Sequence, residues 1–255
     1  MTGRMTGKTA VVVGAGQSPG PNVGNGRATA LLLAREGAQL MCVDRDEASA
    51  AETVAMIAAE GGQAWAWRAD VARRDDCEAL VKAARERMGR IDALVNNVGI
   101  GGGGDGPAHR AEEAAWDRIL TVNLKSMWMT IKYAVPVMRE QGGGAAIVNI
   151  SSLASIAGGN MVAYEVSKAG VNRLTTSVAA TTATSTPGIR GHWRLKRSTM
   201  ARDATPMAQL VQLVSPCATP CTRLMLSCTS PSPLAEKPRI LGSCPTSTVS
   251  AMPLT

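Results

Sequence analysis

The sequence predicts an α/β fold: a doubly wound parallel sheet in one domain, closed by a Ser/Thr/Pro-rich segment of different character. Three observations predict it. Short β-branched runs alternate with Ala-rich amphipathic stretches over the first 180 residues, which is the pattern of βαβ units with helices on both faces of a sheet. A glycine-rich segment, Gly14–Gly26, stands directly between the first β-branched run and the first helical stretch. The chain has 255 residues and is 45% hydrophobic, enough to bury one core.

Taken in order, Thr9–Val13 reads as the first strand and Gly26–Glu36 as the first helix. Gln39–Val43 is a second strand, Asp46–Glu60 an Ala-rich helix and Ala64–Arg68 a third strand. Asp75–Met88 is amphipathic, with Leu80, Val81 and Ala84 on one helical face. Ala93–Asn96 and Ala146–Ile150 complete five strands. A long helix from Glu112 to about Met138 lies between them, and Tyr164–Thr176 begins another. Such a sheet binds its ligands at the carboxyl ends of the strands.

After about Thr181 the periodicity stops. Thirty of the last 75 residues are Ser, Thr or Pro, and nine of the 13 prolines fall there, so residues 191–255 are expected to form an irregular tail after a domain spanning 1–190. The net charge of +7 sits in the same place. Residues 1–180 carry 19 Lys/Arg against 18 Asp/Glu, and residues 181–255 carry eight against two. The body therefore lacks the footprint of a nucleic-acid binder. No apolar run reaches the roughly 18 residues of a membrane span, and the N-terminus leads straight into a strand, so a soluble, cytoplasmic protein is expected. Cys42 and Cys77 fall inside elements and read as small apolar residues. Cys217, Cys221, Cys228 and Cys244 lack the paired spacing of a zinc site, so no metal is expected, and His109 and His192 read as surface residues.

A glycine-rich turn at a helix N-terminus lets backbone N–H groups and the positive end of the helix dipole approach a pyrophosphate. Gly14, Gly24 and Gly26 are the candidates. Asp44 ends the second strand, eighteen residues beyond Gly26. A carboxylate there can accept hydrogen bonds from both adenosine ribose hydroxyls and repels a 2′-phosphate, favouring NAD over NADP. Arg45 beside it offsets part of that repulsion, and the neighbouring Asp46 and Glu47 leave a solvated loop acid as the other reading.

Tyr164 and Lys168, at i and i+4, share a helical face about a dozen residues after Ser151 and Ser152 at a strand end. An ordinary phenol, ionising near pH 10, roughly, is a poor base at neutral pH, but a close ammonium stabilises the phenolate. Such a pair can exchange a proton with an alcohol or a carbonyl, the acid/base half of a hydride transfer.

The parts occur in one order: the Gly-rich turn, Asp44, Asp70-Val71, Asn96-Asn97-Val98-Gly99, Asn123, the serine pair and Tyr164-x-x-x-Lys168. In this the chain resembles the short-chain dehydrogenase/reductase family from about residue 8 to residue 190. The resemblance implies a Rossmann-type fold and hydride transfer between NAD(H) and a secondary alcohol or ketone. It implies Tyr164 as acid/base, Lys168 as the residue that binds the nicotinamide ribose and favours the phenolate, and a serine that orients the substrate oxygen. Asn123 would hold a water linking Lys168 to solvent, Asp70 and Val71 would contact adenine, and Asn96, Asn97 and Gly99 would line the cofactor cleft. The strand end selects Ser152, whereas the commonest spacing to the tyrosine selects Ser151; Ser152 is favoured. A homo-oligomer, dimer or tetramer, is also implied, using the helices after strands four and five together with a C-terminal strand.

Three departures accompany the resemblance. The turn carries about six extra residues between Gly16 and Gly24, including Pro19 and Pro21, and Val98 stands where alanine is usual. After Gly188-Ile189-Arg190 the family's sixth strand, Pro-Gly turn, substrate loop and seventh strand are not recognisable. The change of composition there points to a shifted reading frame or an unrelated replacement. The alternative function is accordingly a nucleotide-binding protein with impaired or no turnover.

Overall fold

The computed structural model describes residues 3–18, 20, 22–183 and 211–214. Five parallel strands, β1 Thr9–Val13, β2 Gln39–Asp44, β3 Gln63–Arg68, β4 Ala93–Asn96 and β5 Ala146–Ile150, lie in the order β3-β2-β1-β4-β5. They are joined by α1 Asn25–Arg35, α2 Glu47–Ala59, α3 Arg74–Met88, α4 Glu113–Leu120 and α5 Ser126–Glu140, and α6 Val162–Ala183 follows β5. The bounds of the five strands and of α1, α2 and α3 agree with the sequence reading to within one residue.

Strand alternation sorts the core. Val11, Val13, Met41, Val43, Leu94 and Ile147 point to one face, where Leu80 and Val81 of α3 and Met129, Ile131 and Met138 of α5 cover them. Ala10, Val12, Leu40 and Cys42 point the other way and are equally buried, which is why these strands read as continuous apolar runs. Cys42 and Cys77 are free, and burial pushes both thiols up to about 12, so they behave as apolar groups. None of the described helices is long and apolar enough to cross a membrane.

Two features differ from the sequence reading. The single helix expected over Glu112–Met138 is two α-helices joined by a π turn, Thr121–Lys125, which closes with Ser126 N–H donating to the Thr121 carbonyl. Within the tail expected to be irregular, Val211–Val214 forms a short β6 antiparallel to β5, with Ile150 opposite Val211. The physical reason is that β5 would otherwise present an unpaired edge of N–H and C=O groups, and Val-Gln-Leu-Val is a run able to pair with it. The rest of the tail, with His192 and the four cysteines from Cys217 to Cys244, lies outside the described residues, as do Pro19 and Pro21.

The chain winds outward from β1 to β3, then crosses back to β4 beside β1. The carboxyl ends of β1 and β4 therefore flank the switch point where such sheets bind ligands.

Candidate active site

Gly14 and Asn97 meet at that switch point. Gly14 follows β1 with φ +82°, a left-handed conformation suited to glycine. Asn97 follows β4, donates its N–H to the Val13 carbonyl and its side-chain Nδ2 to the Gly14 carbonyl at 3.1 Å. Its Oδ1 is buried without a hydrogen-bond partner among the described residues. A buried orphan acceptor beside a glycine turn fits a donor arriving from a bound dinucleotide. Asn96 does otherwise: strand alternation turns it inward, where Nδ2 donates to Asn149 Oδ1 and Oδ1 accepts from Thr130 Oγ1. Asn149 continues the network to Thr175, so Asn96 fixes the strand ends and α5 and is not free for a ligand.

Gly26, in the first turn of α1, packs so closely on this corner that a Cβ would fall on the Gly14 carbonyl oxygen and lie 2.7 Å from Asn97 Nδ2. Neither a backbone carbonyl nor a strand end yields cheaply. Gly26→Ala is expected to cost about 1–3 kcal/mol, visible as a melting temperature lowered by several degrees, and to weaken dinucleotide binding. An unchanged melting curve would show that the corner has slack.

The extended loop is tied by its own side chains. Gln17 donates Nε2 to the Ser18 and Asn22 carbonyls and accepts the Gly24 N–H at 2.6 Å. Asp44 accepts the Gly16 N–H at 2.9 Å and the Asp46 N–H at 3.1 Å, so it is only partly solvated and braces the turn. Asp70 closes a turn by accepting from the Ala72 N–H, and Val71 beside it is buried.

At the carboxyl end of β5, Ser151 and Ser152 follow Ile150, which Lys168 of α6 contacts, with Tyr164 one turn before it. Tyr164 is buried in a cluster with Ile119 and Ala163, against which Ile100 and Trp116 pack. Lys168 Nζ lies 5.7 Å from the Tyr164 ring centroid and donates to the Ile150 carbonyl at 3.1 Å. Lys168 is 3% exposed, and burial lowers its ammonium to about 8. Gly99 makes room for it: a Cβ there would sit 2.9 Å from Nζ. Ser151 donates its hydroxyl to the Lys168 carbonyl at 3.0 Å. Ser152 instead caps the 3₁₀ turn Leu153–Ser155 by accepting the Ala154 N–H, which leaves its proton to donate elsewhere.

Asn123 is fully buried in the π turn. Its Oδ1 accepts the Ile100 N–H, and its Nδ2 donates to the Ile100 carbonyl and to Ser167 Oγ. The side chain thus locks the loop after β4 to α6 through the helix between them. Asp105 in that loop accepts from the N–H groups that begin α6, a role that no pattern in the sequence marks.

The assembled parts are a glycine turn with an orphaned amide oxygen at the switch point, a phenol with a buried ammonium near its ring, and a hydroxyl able to donate. A phenol beside an ammonium can exchange a proton with an alcohol or a carbonyl. The model of the short chain dehydrogenase family matches residues 8–190. An uncharacterised oxidoreductase of Thermotoga maritima is 39% identical over 174 residues, covering 68% of this chain and 65% of its own. The levodione reductase of Leifsonia aquatica is 35% identical over 181 residues, covering 70% and 65%. The chain thus spans 65% of the length of each. The crystal structure of a Burkholderia xenovorans protein assigned to the short-chain dehydrogenase/reductases superposes with a TM-score of 0.68 at 42% identity, covering 71% of both chains. Motif order, sheet topology and these relatives agree: the chain belongs to the short-chain dehydrogenase family.

Proposed function

We propose that the protein interconverts a secondary alcohol and its ketone with NAD(H), using Tyr164 as acid/base. The observation that carries this reading is Lys168. A buried ammonium that makes no ion pair among the described residues and rests on one carbonyl is costly to the fold. Its placement against the one phenol at the sheet's carboxyl end is explained by chemistry. A nicotinamide bound in the cradle supplies the hydride acceptor or donor. In oxidation Tyr164 takes the hydroxyl proton, Lys168 stabilises the phenolate and binds the ribose, and Ser152 donates to the substrate oxygen. In reduction the same proton returns to the carbonyl oxygen. Because the Asn123 side chain is spent on Ile100 and Ser167, the relay water belongs at its backbone in the π turn, where helical hydrogen bonding changes register. Asn97 and Gly99 line the nicotinamide side of the cleft, with Gly14, Gly24 and Gly26 at the pyrophosphate and Asp70 and Val71 at the adenine.

Cofactor fluorescence titration combined with a panel of secondary alcohols and ketones tests the proposal. Hydride transfer supports it, and tight binding without turnover on any of them favours a nucleotide-binding protein instead. Asp44 supports NAD over NADP. Asp44→Ala is expected to weaken NAD about tenfold through the lost ribose bonds and to narrow the gap to NADP as repulsion of the 2′-phosphate is relieved. An unchanged ratio of the two dissociation constants would remove Asp44 from this role.

We read the small-molecule enzyme as a cytoplasmic homo-oligomer, dimer or tetramer. A groove of about 610 Å³ on the face of α4, the π turn, α5 and α6 is lined by Trp116, Leu120, Leu124, Trp128 and Leu174, and Trp128 is 47% exposed. An apolar face with two tryptophans supports pairing of copies there.

A further inference from the structure

The first turn of an α-helix leaves N–H groups without intrahelical acceptors. In α6, which carries Tyr164 and Lys168, they are satisfied by chain from far upstream. Val162 N–H donates to the Gly106 carbonyl at 3.0 Å. Ala163 N–H donates to Asp105 Oδ1 and Tyr164 N–H to Asp105 Oδ2, both at 3.0 Å. Met161, which precedes the helix, has no side-chain oxygen with which to cap it. Both oxygens of one carboxylate therefore hold two consecutive amides, one of them that of Tyr164 itself. The charge also suits the positive end of the helix dipole.

The segment that delivers Asp105 is itself fixed. Gly102, Gly103 and Gly104 follow one another at φ +70°, +58° and +94°. Arg118 of α4 donates Nη2 to the Gly102 and Gly103 carbonyls, and Glu112 N–H donates to the Gly104 carbonyl. At its other end the segment begins at Asn97 in the cofactor cradle and passes Ile100, which Asn123 holds from both sides. One loop thus touches the cradle at its start and the backbone of Tyr164 at its end.

We propose that Asp105 is a positioning residue for the acid/base: its bidentate cap sets where the Tyr164 phenol stands relative to the cradle. This rests on the reading of Tyr164 given above. The Cα of a helical residue sets where its side chain ends, and displacement of a reacting group by about 1 Å can cost on the order of 100-fold in rate.

The test uses the composition of the chain, which contains two tyrosines. Tyr133 lies on α5 with its hydroxyl accepting from Arg74 Nε at the surface. In a Tyr133→Phe background labelled with 3-fluorotyrosine, the fluorine spectrum reports Tyr164 alone, whether or not the protein turns over. Asp105→Ala is expected to shift that line toward its denatured position or to split it. In unlabelled protein it should lower kcat by about 10–100-fold while the dissociation constant for NAD stays within about twofold. Asp105→Asn keeps one of the two acceptor oxygens and turns an NH2 toward the other amide, so its line and kcat should fall between those of the parent and Asp105→Ala. The proposal is overturned if Asp105→Ala leaves the fluorine line and kcat unchanged. It is equally overturned if both variants lose the line together with cooperative melting, which would make Asp105 a support of the fold only. If the parent protein transfers no hydride with any substrate, the oxidoreductase reading falls, while the fluorine comparison still decides whether Asp105 positions Tyr164.

Discussion

Replacing Tyr164 by Phe is expected to lower kcat by about 10²–10⁴-fold, the usual worth of a positioned acid/base, with the dissociation constant for NAD within about twofold of the parent. The separation of the two effects follows from what the substitution keeps. Tyr164 belongs to a buried cluster with Ile119 and Ala163, against which Ile100, Trp116 and Ala154 pack, and phenylalanine fills the same space. The backbone N–H remains on Asp105, so the start of α6 and the placement of Lys168 one turn later are preserved. Only the phenolic oxygen is lost, and with it the group that takes the alcohol proton. Steady-state rates with the best alcohol or ketone of the panel, measured beside a fluorescence titration of the cofactor, check both halves. Retention of more than about a tenth of kcat would be too much for a residue in this role.

How much of this was legible in the sequence follows from physical scale. The inner strands were readable because both faces of β1, β2 and β4 are buried, so Val11-Val12-Val13 or Leu40-Met41-Cys42-Val43 stand out as unbroken apolar runs, and the edge strand β3 by its place between two helical stretches. The Tyr164/Lys168 pair was readable because helical spacing alone brings i and i+4 together. The π turn was not readable. It changes the hydrogen-bond register of a continuous helix, and Thr-Val-Asn-Leu-Lys has no residue that enforces the change; tertiary bonds from Asn123 to Ile100 and Ser167 accompany it. The division of labour between Asn96 and Asn97 also needed the strand, because one residue of alternation decides which amide faces the core network and which faces Gly14. Loop length and strand end disagreed over Ser151 and Ser152. In the structure Ser151 donates its hydroxyl to the Lys168 carbonyl, whereas Ser152 accepts the Ala154 N–H, a difference that no spacing in the sequence marks. Asp105 was invisible because a single acid in a glycine-rich loop looks like any solvated turn residue until the helix it caps is placed beside it.

Lys168→Met is expected to abolish measurable turnover and, in the cofactor-free protein at pH 7, to raise the melting temperature. The activity loss follows from removing the charge that stabilises the phenolate and binds the ribose, so kcat should fall by at least about 10²-fold and NAD affinity should fall with it. The gain in stability follows from burial. The ammonium lies at about 8 in the folded protein against 10.5 for the free side chain. Between those values the unfolded chain holds a proton that the folded chain has released, so parent stability rises with pH through that window; below about pH 8 the whole penalty stands. That penalty is about 3 kcal/mol, and losing the bond to the Ile150 carbonyl returns about 1 kcal/mol of it, leaving a net gain near 2 kcal/mol, or roughly 4–8 °C. Methionine has no proton to exchange, so the difference in melting temperature should be largest near pH 7 and shrink as pH rises from 8 toward 10.5. Paired melting curves over that range check the sign. A variant that melts lower than the parent at pH 7, or a difference that does not narrow with rising pH, would show that the ammonium is solvated and would remove the main support for its placement against Tyr164 as a functional one.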